Sequence, residues 1–110
     1  MKANVAAFAL IGAVLAALGQ VSFKFGAEGR SGLLEFINVW IVLGLFLYFA
    51  GTVFWVLALA KVPLTVLYPF AALTYVLVNI FAITLLGEHL SAKGVAGTAF
   101  VLLGLFLVAT

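Results

Sequence analysis

Four long stretches without a single charged residue, at 3–23, 36–60, 62–87 and 94–110, decide what this chain can fold into. About 20 apolar residues rising 1.5 Å each are enough to cross a hydrocarbon core about 30 Å thick. The first three stretches exceed that length, and the fourth lies at the low end of the workable range of roughly 17–25 residues. In lipid every backbone N–H and C=O must be satisfied within the protein, so open strands are excluded. A barrel needs alternating polar positions, which Leu43-Gly44-Leu45-Phe46-Leu47 lacks. The composition agrees. Hydrophobic residues make up 68% of the chain and charged residues 7%, where soluble domains carry roughly 45–50% and 25%. The expected fold is an all-α membrane protein with four transmembrane helices over about 3–25, 36–60, 64–86 and 92–110, a single domain spanning 1–110.

The connections fit that count. Gly26, Gly29, Ser31 and Gly32 surround the charges of the first and longest loop. Lys61-Val62-Pro63 forms a tight second turn, and Gly87 to Lys93 a third, with Ser91 as the N-cap of the last helix. Short turns make neighbouring helices antiparallel and place both termini on one side. Lys2 and Lys61 then face one side and Lys24, Arg30 and Lys93 the other, a difference too small to set the orientation. Lys2 and the apolar run resemble a signal peptide, but the run is already bilayer length and three more spans follow.

Several function classes are excluded. There are no cysteines, hence no disulfide or thiolate chemistry. The net charge of +2 is scattered, which gives no footprint for nucleic acid. His89 is the only histidine, no span holds a carboxylate, and no catalytic set or phosphate-binding glycine loop is present. The sequence reads as a non-enzyme with no cofactor and no metal.

Polar groups within the spans are the remaining candidates, because they are costly in hydrocarbon. Gln20 and Lys24 lie one turn apart on the first helix. Two roles fit Lys24: an interfacial anchor whose ammonium snorkels to the headgroups, or a cationic contact for an anionic ligand with Gln20 beside it. On the third helix Thr65, Tyr68, Ala72, Tyr75 and Asn79 are spaced to share one face. Asn79 is either interhelical glue or part of a site, and Pro69 removes a backbone donor and leaves the Thr65 carbonyl without its usual partner. Gly44, Tyr48, Thr52 and Trp55 share a face of the second helix, where Trp55 suits core packing or ligand stacking equally. Gly97 and Gly104, seven apart on the fourth helix, suit close packing within the chain or between two chains.

Three motifs together resemble a known group. Leu18-Gly19-Gln20-Val21-Ser22-Phe23-Lys24-Phe25, Lys61-Val62-Pro63-Leu64-Thr65-Val66-Leu67-Tyr68-Pro69 and Gly87-Glu88-His89-Leu90-Ser91 occur in order along the chain. They resemble the small four-span, EamA-type members of the drug/metabolite transporter superfamily. Within it the chain departs from the multidrug resistance branch. Ala16 stands at that branch's essential glutamate and Ala71 at its tryptophan, although the glycine spacing at Gly97 and Gly104 matches its dimer contact. The chain is more similar to the aminoarabinose–undecaprenyl phosphate flippase subunits, through Gly19, Gln20, Lys24, Val62-Pro63, Tyr68-Pro69 and Glu88. That resemblance implies a flippase of the bacterial inner membrane moving a polyprenyl-phosphate-linked sugar. It further implies a homodimer or a heterodimer with a similar small membrane protein, since larger relatives carry two such halves in one chain. Lys24, Gln20, Tyr68, Tyr75, Asn79, Trp55 and Glu88 are the substrate-binding candidates and Gly97 and Gly104 the packing ones. The alternatives are a cation or drug exporter of the multidrug type and a non-transporting accessory subunit.

Overall fold

The computed structural model describes residues 2–109, so Thr110, at the end of the expected fourth span, lies outside the described residues. Among the described residues five α-helices follow in order: α1 (Ala3–Ala27), α2 (Val39–Leu59), α3 (Leu64–Leu67), α4 (Ala71–Leu85) and α5 (Ala92–Ala109). A 3-10 turn at Tyr68–Phe70 joins α3 to α4, so together they make one span, Leu64–Leu85. No strand occurs among the described residues. Three helices, Ala3–Ala27, Val39–Leu59 and Leu64–Leu85, are long and apolar enough to cross a membrane. The 18 residues of α5 rise about 27 Å, close to the thickness of a hydrocarbon core. The protein is a multi-pass membrane protein.

The α1–α2 pair is the most extensive contact and supplies the register of the fold. Positions 5, 12, 19 and 26 of α1 and 44, 51 and 58 of α2 are glycine, alanine or valine, all buried. A Cβ at Gly12 would lie 3.0 Å from the Gly51 carbonyl oxygen, and one at Gly51 would lie 3.0 Å from that of Gly12. Gly19 and Gly44 repeat the relation at 3.1 and 3.0 Å. The two backbones therefore touch at two crossings seven residues apart and run antiparallel. Small residues permit this approach, which gains dispersion energy where no hydrophobic drive exists.

Polar clamps close one end of the pair. Ser22 Oγ donates to the Trp40 carbonyl at 2.6 Å. Asn38 caps α2, its Oδ1 accepting from the N–H groups of Trp40 and Ile41, while its Nδ2 donates to the carbonyls of Gly26 and Glu35, each at 2.9 Å. This cap starts α2 at Val39 rather than at 36, because Leu33–Phe36 forms its own 3-10 turn. At the other end Val5, Ala9, Ala58 and Leu67 form the apolar core that seats α3.

The remaining turns follow local chemistry. Gly87 takes a left-handed conformation (φ +70°), which returns the Glu88 N–H to the Ala82 carbonyl at 3.1 Å. Ser91 Oγ accepts from the Gly94 N–H at 3.1 Å and caps α5. That helix leans chiefly on α4 and the Tyr68–Phe70 turn. A Cβ placed on Gly97 or on Gly104 would meet nothing within 4 Å among the described residues, so packing within the chain does not use them.

Candidate functional site

Two contiguous clefts open beside α1. The inner one, of about 270 Å³, is framed by α1, α2 and the start of α4. Its floor is the glycine crossing itself: Gly12 and Gly51 bring the helices together, and Ala13, Ala16 and Ala71 add little bulk around it. Gln20, Tyr48, Thr52, Trp55, Tyr68 and Thr74 complete the wall. None of these residues carries a formal charge at neutral pH. The inner cleft thus offers amide and hydroxyl groups and aromatic faces to a neutral polar ligand portion.

The outer cleft, of about 290 Å³, lies between α1 and the end of α4. Gln20 and Lys24 line it from α1, and Glu88 from the turn after Gly87. Val21, Val78, Ala82 and Leu86 make the rest of the wall apolar. Gln20 borders both clefts, so its amide stands where the charged cleft meets the uncharged one.

The third-span stripe is divided by the structure. Tyr68 reaches the inner cleft, whereas Tyr75 and Asn79 line neither cleft. Asn79 Nδ2 donates to Thr98 Oγ1 at 3.3 Å, and Thr98 Oγ1 donates to the Gly94 carbonyl at 2.8 Å. Tyr75 stands beside both Asn79 and Thr98. These residues join α4 to α5, which is the interhelical-glue role open to Asn79. The 3-10 turn at Tyr68–Phe70 is the cause: it advances the chain at three residues per turn and shifts the phase of everything beyond it. Thr74 occupies the inner cleft instead, and sequence spacing alone does not single it out. Trp55 lines the cleft while also packing against the apolar core. Tyr48 and Thr52 join it from the same face of α2, and Thr52 Oγ1 donates to the Tyr48 carbonyl at 2.9 Å. Ala16 and Ala71, the departures from the multidrug branch, both lie on this wall.

No family model matches the chain, and no solved structure matches it. Whole-length relatives do. The chain is 31% identical over 104 residues to the "Probable 4-amino-4-deoxy-L-arabinose-phosphoundecaprenol flippase subunit ArnE" of Pseudomonas fluorescens, covering 90% of this chain and 91% of that one. It belongs to the ArnE/ArnF family of flippase subunits. An ArnF of Shewanella sediminis bearing the corresponding name is 31% identical over 121 residues, covering 91% and 83% of the two chains. An ArnE of Pectobacterium atrosepticum is 31% identical over 100 residues, covering 86% and 88%. These family members are named as transport subunits rather than enzymes, and the word subunit implies a partner.

Proposed function

We propose that this chain is a subunit of an inner-membrane flippase for a polyprenyl-phosphate-linked sugar, and that its two clefts hold the headgroup. The names of its ArnE and ArnF relatives support the substrate class. One observation carries the site assignment: Gln20 links a mouth holding Lys24 to an uncharged, aromatic and hydroxyl-lined interior. A phosphate diester has one negative charge and several acceptor oxygens, which suits the Lys24 ammonium and the Gln20 amide. The sugar ring fits the inner cleft, where Trp55, Tyr48 and Tyr68 offer faces and Thr52 and Thr74 hydroxyls. An amino substituent on that ring gains a further cation–π attraction there. The prenyl chain leaves along Val21, Val78, Ala82 and Leu86 into the bilayer. Glu88 at the mouth balances Lys24 when no phosphate is bound.

The partner face is α5. Gly97 and Gly104 repeat the seven-residue spacing with which α1 and α2 meet, yet have open space before them. A second copy or a similar small membrane protein packs there in this reading. An exporter of cations needs a titratable group facing the ligand, and no carboxylate is among the residues that line the inner cleft.

The test is reconstitution into vesicles, alone and with a partner of the same family, scoring the accessibility of a polyprenyl-phosphate aminosugar headgroup from each leaflet. Transfer in at least one arrangement is expected. No transfer in either, with folded protein present, overturns the reading.

A further inference from the structure

The charges of this protein are distributed unequally between its two membrane faces. On the face reached by the ends of α1 and α4, Lys24, Arg30 and Lys93 are matched by Glu28, Glu35 and Glu88, every acidic residue of the chain. On the opposite face stand Lys2 and Lys61, with no acidic side chain among the described residues, so the formal side-chain charge of +2 resides there. These two lysines are 59 positions apart in sequence, yet the fold brings them to one cleft. It measures about 330 Å³ and is lined by Lys2, Asn4, Val5, Lys61 and Val62.

The cleft is built as a donor site. Asn4 Oδ1 accepts from the Val5 N–H at 3.0 Å, which fixes the amide and leaves its N–H groups to serve a ligand. Two ammonium groups add further donors, and Val5 and Val62 supply apolar wall. Two lysines and no acidic side chain line this cleft, a charge balance that suits an anion. Lysines near a membrane surface draw anionic headgroups in this manner.

We propose that the Lys2–Asn4–Lys61 cleft binds the phosphate of an anionic membrane lipid, on the face opposite Lys24. Two lipids present that chemistry. If the occupant is the polyprenyl phosphate carrier, the cleft is the second station of the headgroup's path, which rests on the transport reading above. If it is bulk anionic phospholipid, the cleft anchors the protein, and the site stands without that reading.

The experiment is native mass spectrometry of the purified full chain in detergent, titrated separately with undecaprenyl phosphate, phosphatidylglycerol and zwitterionic phosphatidylcholine. Lys24→Gln serves as the background, which removes the phosphate contact proposed for the other face. In that background an anionic lipid is expected to remain bound, and adding Lys2→Gln and Lys61→Gln should weaken it about tenfold while phosphatidylcholine is unaffected. Replacing both by arginine should retain binding, which separates charge from folding. On the unmodified background, raising salt should erode the anionic preference. Preference for undecaprenyl phosphate identifies the carrier as occupant; equal affinity for phosphatidylglycerol identifies bulk lipid; either supports the site. Unchanged affinity in the triple variant overturns it. If Lys24→Gln alone loses no carrier binding while the lysine pair loses all of it, the Lys24 assignment fails and this site remains.

Discussion

Substituting Gly51 by alanine tests the packing on which the inner cleft is built. Its new Cβ would lie 3.0 Å from the Gly12 carbonyl oxygen, 3.2 Å from the Ala16 nitrogen and 3.2 Å from the Leu15 Cβ. Two of these three neighbours are backbone, so no side-chain rotation relieves the clash and the helices must separate. Overpacking of this kind costs about 1–3 kcal/mol, and alanine recovers about 1 kcal/mol through its higher helix propensity. The net expectation is a loss of about 1 kcal/mol, a factor of roughly five in the folded population. Gly97→Ala, read on the monomer in detergent so that the proposed partner contact does not enter, is the internal control: with nothing within 4 Å inside the chain, it has only the propensity gain. Titration with sodium dodecyl sulfate in mixed micelles reports the difference through tryptophan fluorescence, since both tryptophans, Trp40 and Trp55, sit on α2. A Gly51→Ala protein as stable as the parent, or a Gly97→Ala protein equally damaged, would refute the backbone-crossing account.

Further outcomes follow from single contacts. Asn38→Ala removes the α2 cap and the link to the Gly26 carbonyl, and should cost about 1–2 kcal/mol in the same titration. A double-mutant cycle of Asn79→Leu with Thr98→Val should give a coupling of about 0.6–1.7 kcal/mol; zero coupling means the pair does not hold α5. The Glu35 carboxyl is held below its ordinary value of 4.5 by the backbone N–H of Gly32, then that of Ser31, with Arg30 adding attraction. The folded loop therefore binds fewer protons than the unfolded one, so its contribution is fully present above 4.5 and is lost as pH falls through the lower folded value. The protection of the Gly32 and Ser31 amides relative to their unfolded exchange rates should be lost only in that acid range, and Glu35→Gln should abolish this pH dependence of protection.

The spans and turns are legible in the sequence because bilayer length and glycine–proline punctuation are local properties. Ser91 as a cap is of that kind. The site is less legible where it depends on helix phase or on which helices meet. Tyr68, Tyr75 and Asn79 share a face on an ideal helix, but the Tyr68–Phe70 turn sends the first to the cleft and the others to α5. The glycines at 12 and 19 have the spacing of those at 44 and 51, but only the antiparallel pairing reveals that each fills the space left by the other. Asn38 gives no comparable signal, because one short side chain serves as cap and cross-loop clamp at once, a role that needs the Gly26 carbonyl in place.

The most direct measurement of the central claim is the rate at which a polyprenyl-phosphate aminosugar headgroup changes leaflet in vesicles carrying Lys24→Gln or Lys24→Arg at equal protein density. Loss of a charge-assisted contact at the mouth of the clefts should slow Lys24→Gln by roughly tenfold or more, while Lys24→Arg keeps most of the parent rate. Equal rates for the parent and Lys24→Gln would contradict the assignment.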